Sequence, residues 1–213
     1  MKIAIYGAGG FGKEVACLIG RINAHGGDWQ LIGFFDDTKP AGTQVSIYGQ
    51  VIGGMDALTS IGEPLALALA INDNKVVRRI HESITKDNVY FPNLLDPSLF
   101  IVDERTLKMG EGNIIQNNCM ISCDVSIGSF NLINDHVVVG HDNVIGDFNG
   151  LMPGAHLSGG VTIGDRNLLG VSSVVLQGIS IGHDITLGAN SVLMTQPKNN
   201  STYLGVPAKK FDF

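Results

Sequence analysis

The sequence predicts two units of different class, an α/β unit in the first half and a parallel β-helix in the second. Two regularities carry this expectation. The second half repeats an aliphatic residue at every sixth position, and the first half opens with a strand, a glycine loop and a helical stretch.

The six-residue period runs Met109, Ile115, Ile121, Ile127, Ile133, Val139, Ile145, Leu151, Leu157, Ile163, Leu169, Val175, Ile181, Leu187, Leu193, without a slip in phase. An amphipathic helix repeats near 3.6 and an alternating strand at 2, so neither accounts for it. A parallel β-helix does. Each hexad supplies one short flat strand and a corner, three hexads close a triangular coil of about eighteen residues, and the aliphatic side chain points into the prism. Residues eighteen apart are then expected to stack at roughly 4.8 Å. The fifth hexad position is small, Asn or β-branched (Asn113, Val125, Asn131, Asn143, Ala155), which suits a narrow interior. Glycine often follows the aliphatic residue, as at Gly128, Gly140 and Gly146, and Gly and Asn are expected to take the φ > 0 corners. Such a repeat explains the 28 glycines among 213 residues.

In the first half, residues 2–6 read as a strand, 12–24 as helical, 30–35 as a second strand ending at Asp36-Asp37, 65–71 as a third strand and 74–86 as a helix. Residues 88–100 read as a connection, with the domains placed at 1–92 and 93–213. The segment Gly7-x-Gly9-x-x-Gly12 has the Rossmann-like context of a strand before, a helix after and an acid at the end of the next strand. Glycines let the backbone approach a phosphate, and the helix N-terminus supplies N–H donors. Asp36 is placed to accept hydrogen bonds from a ribose or a base. The same loop also reads as a tight turn that binds nothing, or as an NAD site. Against NAD, the unit is short for two mononucleotide halves and no separate substrate domain follows.

Composition excludes several classes. An apolar share of 44% with 16% charged residues describes a chain with a core. The net charge of −6 comes with no run of Lys or Arg, against nucleic-acid or anionic-membrane partners. No apolar stretch reaches spanning length, and MKIAIYGAGG lacks the regions of a signal peptide. Cys17, Cys119 and Cys123 form no metal or disulfide pattern. The expectation is a soluble protein of the reducing cytoplasm, with no metal.

The repeat resembles that of the hexapeptide-repeat acyltransferases, which implies a left-handed coil. Parallel crossovers are normally right-handed, so the hand comes from the resemblance alone. It also implies a homotrimer with acetyl-CoA bound as co-substrate in grooves between neighbouring prisms. An α/β unit joined to such a prism and ending in Leu204-Gly205-Val206-Pro207-Ala208-Lys209 is similar, over the whole chain, to the bacterial family of sialic-acid O-acetyltransferases and UDP-4-amino-sugar N-acetyltransferases. In that family the first domain holds the uridine diphosphate of the nucleotide sugar. The implied contacts are Gly9, Gly10 and Phe11 in the loop, Asp36 and Asp37 after the second strand, and Asn72, where the family often has Gly.

His141 interrupts a glycine-rich corner in Val139-Gly140-His141-Asp142-Asn143-Val144, and the family has a catalytic His followed by an acid here. Acetyl transfer to an amine or hydroxyl needs the nucleophile's proton removed as it attacks the thioester, which a neutral imidazole can do near neutral pH. An adjacent carboxylate, here Asp142, can fix the tautomer. Direct transfer is expected, because no cysteine lies in the motif. Gly159 lies eighteen residues beyond His141. It is expected one coil above, clearing space for a thioester and offering an N–H to the developing oxyanion; the family has a backbone contact to the acetyl group there. Gly150 falls where the family commonly has a His against acetyl-CoA, with His156 as a substitute. Val171 and Ala189 match further acetyl-CoA positions, and Gly205–Lys209 is expected to close the groove near the adenine.

Three other functions compete. The five-residue spacing of His136 and His141 matches two zinc ligands of γ-type carbonic anhydrases, but Phe100 stands where a third would be. A non-catalytic trimeric sensor of sugar nucleotides is a second. O-acetylation of sialic acid or another glycan sugar is the third, since amine and hydroxyl acceptors need the same base.

Overall fold

The computed structural model describes residues 1–211. It contains two compact units, Met1–Pro97 and Ser98–Phe213. The first extends past residue 92 because the following residues pack onto it. Leu94 is fully buried, and the nearly buried carboxylate of Asp96 pairs with Arg21 at 2.7 Å.

The first unit comprises β1 (Lys2–Tyr6), α1 (Gly10–Ala24), β2 (Gln30–Phe35), β3 (Val51–Gly53), α2 (Met55–Ser60), β4 (Leu65–Leu69), α3 (Asn74–Ser83) and β5 (Val89–Tyr90). The strands form one parallel sheet in the order β3-β2-β1-β4-β5. β1 and β4 lie at its centre and are apolar almost throughout, as strands covered on both faces must be. The order reverses between β1 and β4, so their C-terminal ends open the crevice where α/β sheets bind ligands. β3, α2 and β5 were not expected: each is short, and β3 runs into Gly53-Gly54. The third strand ends at Leu69, not 71, and α3 stops at Ser83, where Ile84 turns extended.

The second unit is a left-handed β-helix of three sheets whose coil strands run parallel, one sheet ending in an antiparallel C-terminal strand. Strands stack with an eighteen-residue register, as in Met120↔Val138, Ile127↔Ile145 and Ile133↔Leu151. Every inward aliphatic residue is buried except Met109 at the start, which is half-buried. A ladder of buried amides, Asn113, Asn131, Asn149 and Asn167, runs up one edge, each bonded to the next at 3.0–3.1 Å.

The corners correct the expectation about glycine. Positive φ falls three residues past every inward position except the last, Leu193, at Asn118, Asp124, Phe130, His136, Asp142, Phe148, Arg166 and their equivalents. Most of these are neither Gly nor Asn, although a left-handed residue costs about 1–2 kcal/mol. Stacking offsets some of that cost: the Phe130 and Phe148 rings lie 5.2 Å apart and nearly parallel, and Arg166 bridges to Asp184 at 2.8 Å. The glycines directly after the inward positions serve a different need. A β-carbon on Gly140 would stand 2.7 Å from the Ser158 carbonyl carbon, so the coils can close only over a bare backbone.

No helix among the described residues is long and apolar enough to cross a membrane.

Candidate active site

In the first unit, the ends of β1 and β4 open a cleft of about 540 Å³ lined by all six expected contacts, Gly9, Gly10, Phe11, Asp36, Asp37 and Asn72. The loop glycines differ in purpose. A β-carbon on Gly12 would meet the Gly7 carbonyl oxygen at 2.0 Å, so this glycine packs α1 against β1. Gly9 and Gly10 face open space, with nothing within 4 Å of such a carbon. They serve whatever approaches the loop. Gly9 caps α1 without a side-chain hydrogen bond, and no acid sits in the first turn. The helix therefore offers amides and a positive dipole end toward the cleft.

The two acids are engaged within the protein. Asp36 accepts from the Ala8 N–H at 2.9 Å and from the Thr38 N–H and hydroxyl at 2.9 and 2.6 Å. Burial pushes its carboxyl up, but the bonds from Thr38 and Ala8 and the nearby Lys39 outweigh burial and hold it below the ordinary range. Asp37 accepts from the Tyr6 hydroxyl and, at 2.8 Å, from the Met55 N–H. Burial, then the bond to Asp37 and the charges of Asp37 and Asp36, push the Tyr6 phenol well above the ordinary tyrosine range. Both carboxylates thus shape the cleft first, with only part of their accepting capacity left for a ligand.

Tyr6 and Arg79 line the cleft and were not expected there. Val76, Arg79, Ile80 and Ser83 form one stripe of α3 at helical spacing, so a helical wheel could have found Arg79. Tyr6 looked like an ordinary strand residue, and only the sheet order brings it to the cleft.

The second unit presents three prism edges. His141 and Gly159 share one edge with Cys123 below, as the eighteen-residue rule requires. The His141 Nδ1 lies 2.6 Å from the Asp142 Oδ2, and both side chains are more than half exposed. With Asp142 ionised, this bond needs the proton on Nδ1 and leaves the Nε2 lone pair free. The ring lies over Gly159: Nε2 stands 2.4 Å from where a β-carbon of that glycine would be. The space above Gly159 therefore holds the imidazole itself, where the sequence suggested room for a thioester.

Edges differ in what they do with their outward N–H groups. On the edge of Glu111, Ser129, Asp147, Asp165 and His183, each amide donates to a side chain one coil up, for example Ser129 N–H to Asp147 at 2.7 Å and Asp165 N–H to His183 at 2.9 Å. No hydrogen bond among the described residues uses the Gly159 N–H.

The remaining expected residues are dispersed. Val171 and Ala189 stack on a different edge from His141 and are exposed. His156 points outward from the face between those two edges, above Val138. Gly150 is buried on another face between Leu132 and Leu168, and its N–H already donates to Asn167 at 2.8 Å. Within one chain it is not brought to the His141 corner. His136 and His141 lie on different edges, and no cluster of three His, Cys, Asp or Glu that could hold a metal occurs among the described residues.

Residues 2–84 match the family model described as the PglD N-terminal domain, and residues 160–194 match that of the hexapeptide repeat of succinyl-transferase. The chain's two units are thus similar, part by part, to those of hexapeptide-repeat sugar acyltransferases. Solved structures agree over its whole length. The acetyltransferase domain of PglB from Neisseria gonorrhoeae FA1090, in complex with acetyl coenzyme A, is 28% identical with a TM-score of 0.87, covering 99% of this chain and 98% of that one. PerB from Caulobacter crescentus, in complex with CoA and GDP-perosamine, is 28% identical with a TM-score of 0.83, covering 100% and 98%. WeeI from Acinetobacter baumannii AYE is 27% identical with a TM-score of 0.87, covering 99% and 100%. No curated protein matches the sequence significantly.

Proposed function

We propose that this protein transfers an acetyl group from acetyl-CoA to the amine of a nucleotide-linked amino sugar. The carrying observation is the His141 ring, oriented by Asp142 and set against the bare α-carbon of Gly159, a residue whose N–H is unbonded. The amine nitrogen attacks the thioester carbonyl carbon while His141 Nε2 takes the amine proton. A tetrahedral oxyanion forms, accepting from the Gly159 N–H. The C–S bond then breaks, the amide is left on the sugar, and the CoA thiolate leaves and is protonated. No step needs a covalent enzyme intermediate.

The relatives support both substrates: one holds acetyl coenzyme A, and another holds CoA with GDP-perosamine and was also solved as histidine-to-asparagine and histidine-to-alanine variants. In this chain the first-unit cleft would take the nucleotide, with Gly9, Gly10, Phe11, Asp36 and Asn72 around it and Asp37 holding its wall. Uridine diphosphate is the expected carrier, with guanosine diphosphate to be tested beside it.

We place the acetyl-CoA groove between chains of a homotrimer. His141 and Gly159 lie on one edge, Val171 and Ala189 on another, and the face between them is apolar outward, with Phe100, Met120, Val138, Val174 and Val192 flanking His156. Packing that face against a second prism would bring the two kinds of edge together across a groove. The test is CoA release from acetyl-CoA with UDP- and GDP-linked 4-amino sugars, for wild type and His141→Ala. Turnover by wild type and its loss, by about 100-fold or more, in the variant is expected. Full activity in the variant, or turnover with sialic acid alone, overturns the proposal.

A further inference from the structure

We infer that Asn143 is a positioning residue that sets both the His141 base and the Gly159 amide from inside the prism. This rests on the catalytic assignment above and concerns a residue that touches neither substrate.

Asn143 is fully buried and makes three hydrogen bonds. Its Nδ2 donates to the Gly140 carbonyl at 2.9 Å and to the Ser158 carbonyl at 3.1 Å, and its Oδ1 accepts from the Val161 N–H at 2.6 Å. The Gly140 carbonyl belongs to the peptide that leads into His141. The Ser158 carbonyl belongs to the peptide that carries the Gly159 N–H. In a planar trans peptide the C=O and N–H point in opposite directions. Drawing the Ser158 oxygen inward therefore turns the Gly159 N–H outward, on the same prism edge as His141. One amide group thus clamps the two peptides that carry the reacting machinery, across two coils. Donation to the Ser158 carbonyl also polarises that peptide and strengthens its N–H as a donor.

The position is distinctive on its edge. The corresponding residues are Val125 one coil below and Val161 and Ile179 one and two coils above, all buried and apolar. Elsewhere the same device serves stability: on the edge of the asparagine ladder, Asn149 and Asn167 donate to the Gly164 and Gly182 carbonyls at 2.9 Å. There the outward N–H of the following residue, Asp165 or His183, is consumed by a side chain of the coil above. At Gly159 it is left for a ligand.

The experiment compares Asn143→Val with Asn149→Val, the same change on the ladder edge, and with His141→Ala, measuring kcat, both KM values and Tm. Asn143→Val is expected to lower kcat about tenfold or more with both KM values within about twofold, because misplacement acts on the reacting geometry. Asn149→Val is expected to lower Tm and leave kcat alone. Asn143→Ser, too short to reach either carbonyl, gives the same readout should the valine variant not fold. Equal kcat losses in the two edge variants, or none in Asn143→Val while His141→Ala is inactive, overturn the inference. An active His141→Ala instead overturns the catalytic assignment on which it rests.

Discussion

The His141 imidazole occupies the space that a side chain at position 159 would need, with Cε1 and Nε2 both within 2.5 Å of the missing β-carbon. The obstructing atoms belong to an exposed side chain that can swing away. Gly159→Ala is therefore expected to leave Tm nearly unchanged while displacing the ring. The predicted loss in kcat is on the order of 100-fold, since small misplacements of a reacting group are that costly. Steady-state kinetics beside a melting curve checks it, and an alanine variant with wild-type kcat would remove the ring-over-glycine geometry from the mechanism.

The glycine loop offers a contrast between two neighbours. Gly10→Ala meets open space and adds a better helix former at the start of α1. It should keep or raise stability by up to about 1 kcal/mol. At the same time it should raise KM for the nucleotide sugar about tenfold by blocking close approach of a phosphate. Gly12→Ala collides with the Gly7 backbone and should cost about 2 kcal/mol or more. Denaturant titration with KM measurements separates the two outcomes.

Arg79 is the cationic side chain of the cleft lining, and no ion pair among the described residues engages it. A diphosphate bound against the uncapped start of α1 would gain a charge-assisted partner there. Arg79→Met should raise KM for the nucleotide sugar about tenfold, a penalty that shrinks at high salt, with KM for acetyl-CoA unchanged. An unaltered nucleotide KM would place the diphosphate elsewhere.

Tyr6 predicts a pH effect on stability. Its folded pKa is raised, by burial first and the Asp37 bond second, so the neutral phenol is favoured in the folded state. The contribution is complete below the unfolded value near pH ~10 and falls away as pH rises above it. Wild type should lose stability more steeply than Tyr6→Phe above that pH, and the two slopes should be parallel between pH 6 and 9. Urea titrations across pH provide the measurement.

The β-helix was legible in the sequence because each coil repeats one local demand, an aliphatic residue facing a narrow interior. Fifteen in phase, from Met109 to Leu193, leave no other fold. The glycine loop was equally legible, because strand, loop and helix are contiguous. Short elements such as β3 and β5 were not, since two or three residues carry no period of their own. The site divides in the same way. His141, Asp142 and Gly159 follow from the motif and the eighteen-residue step. Tyr6 and Arg79 depend on the order of strands and on which stripe of α3 faces the cleft.

By itself the sequence determined the two fold classes, the coil period and the residue types at the corner of His141, because these follow from local periodicity and short-range motifs. Tertiary structure alone decided which groups remain available for chemistry. Asp36 and Asp37 are occupied by Ala8, Thr38, Tyr6 and Met55, Gly150 is buried with its N–H taken, and Gly159, packed against an imidazole, keeps its N–H unbonded. Availability depends on hydrogen-bond partners supplied by residues distant in sequence or one coil away, and stacking of the folded chain is what brings those partners within reach.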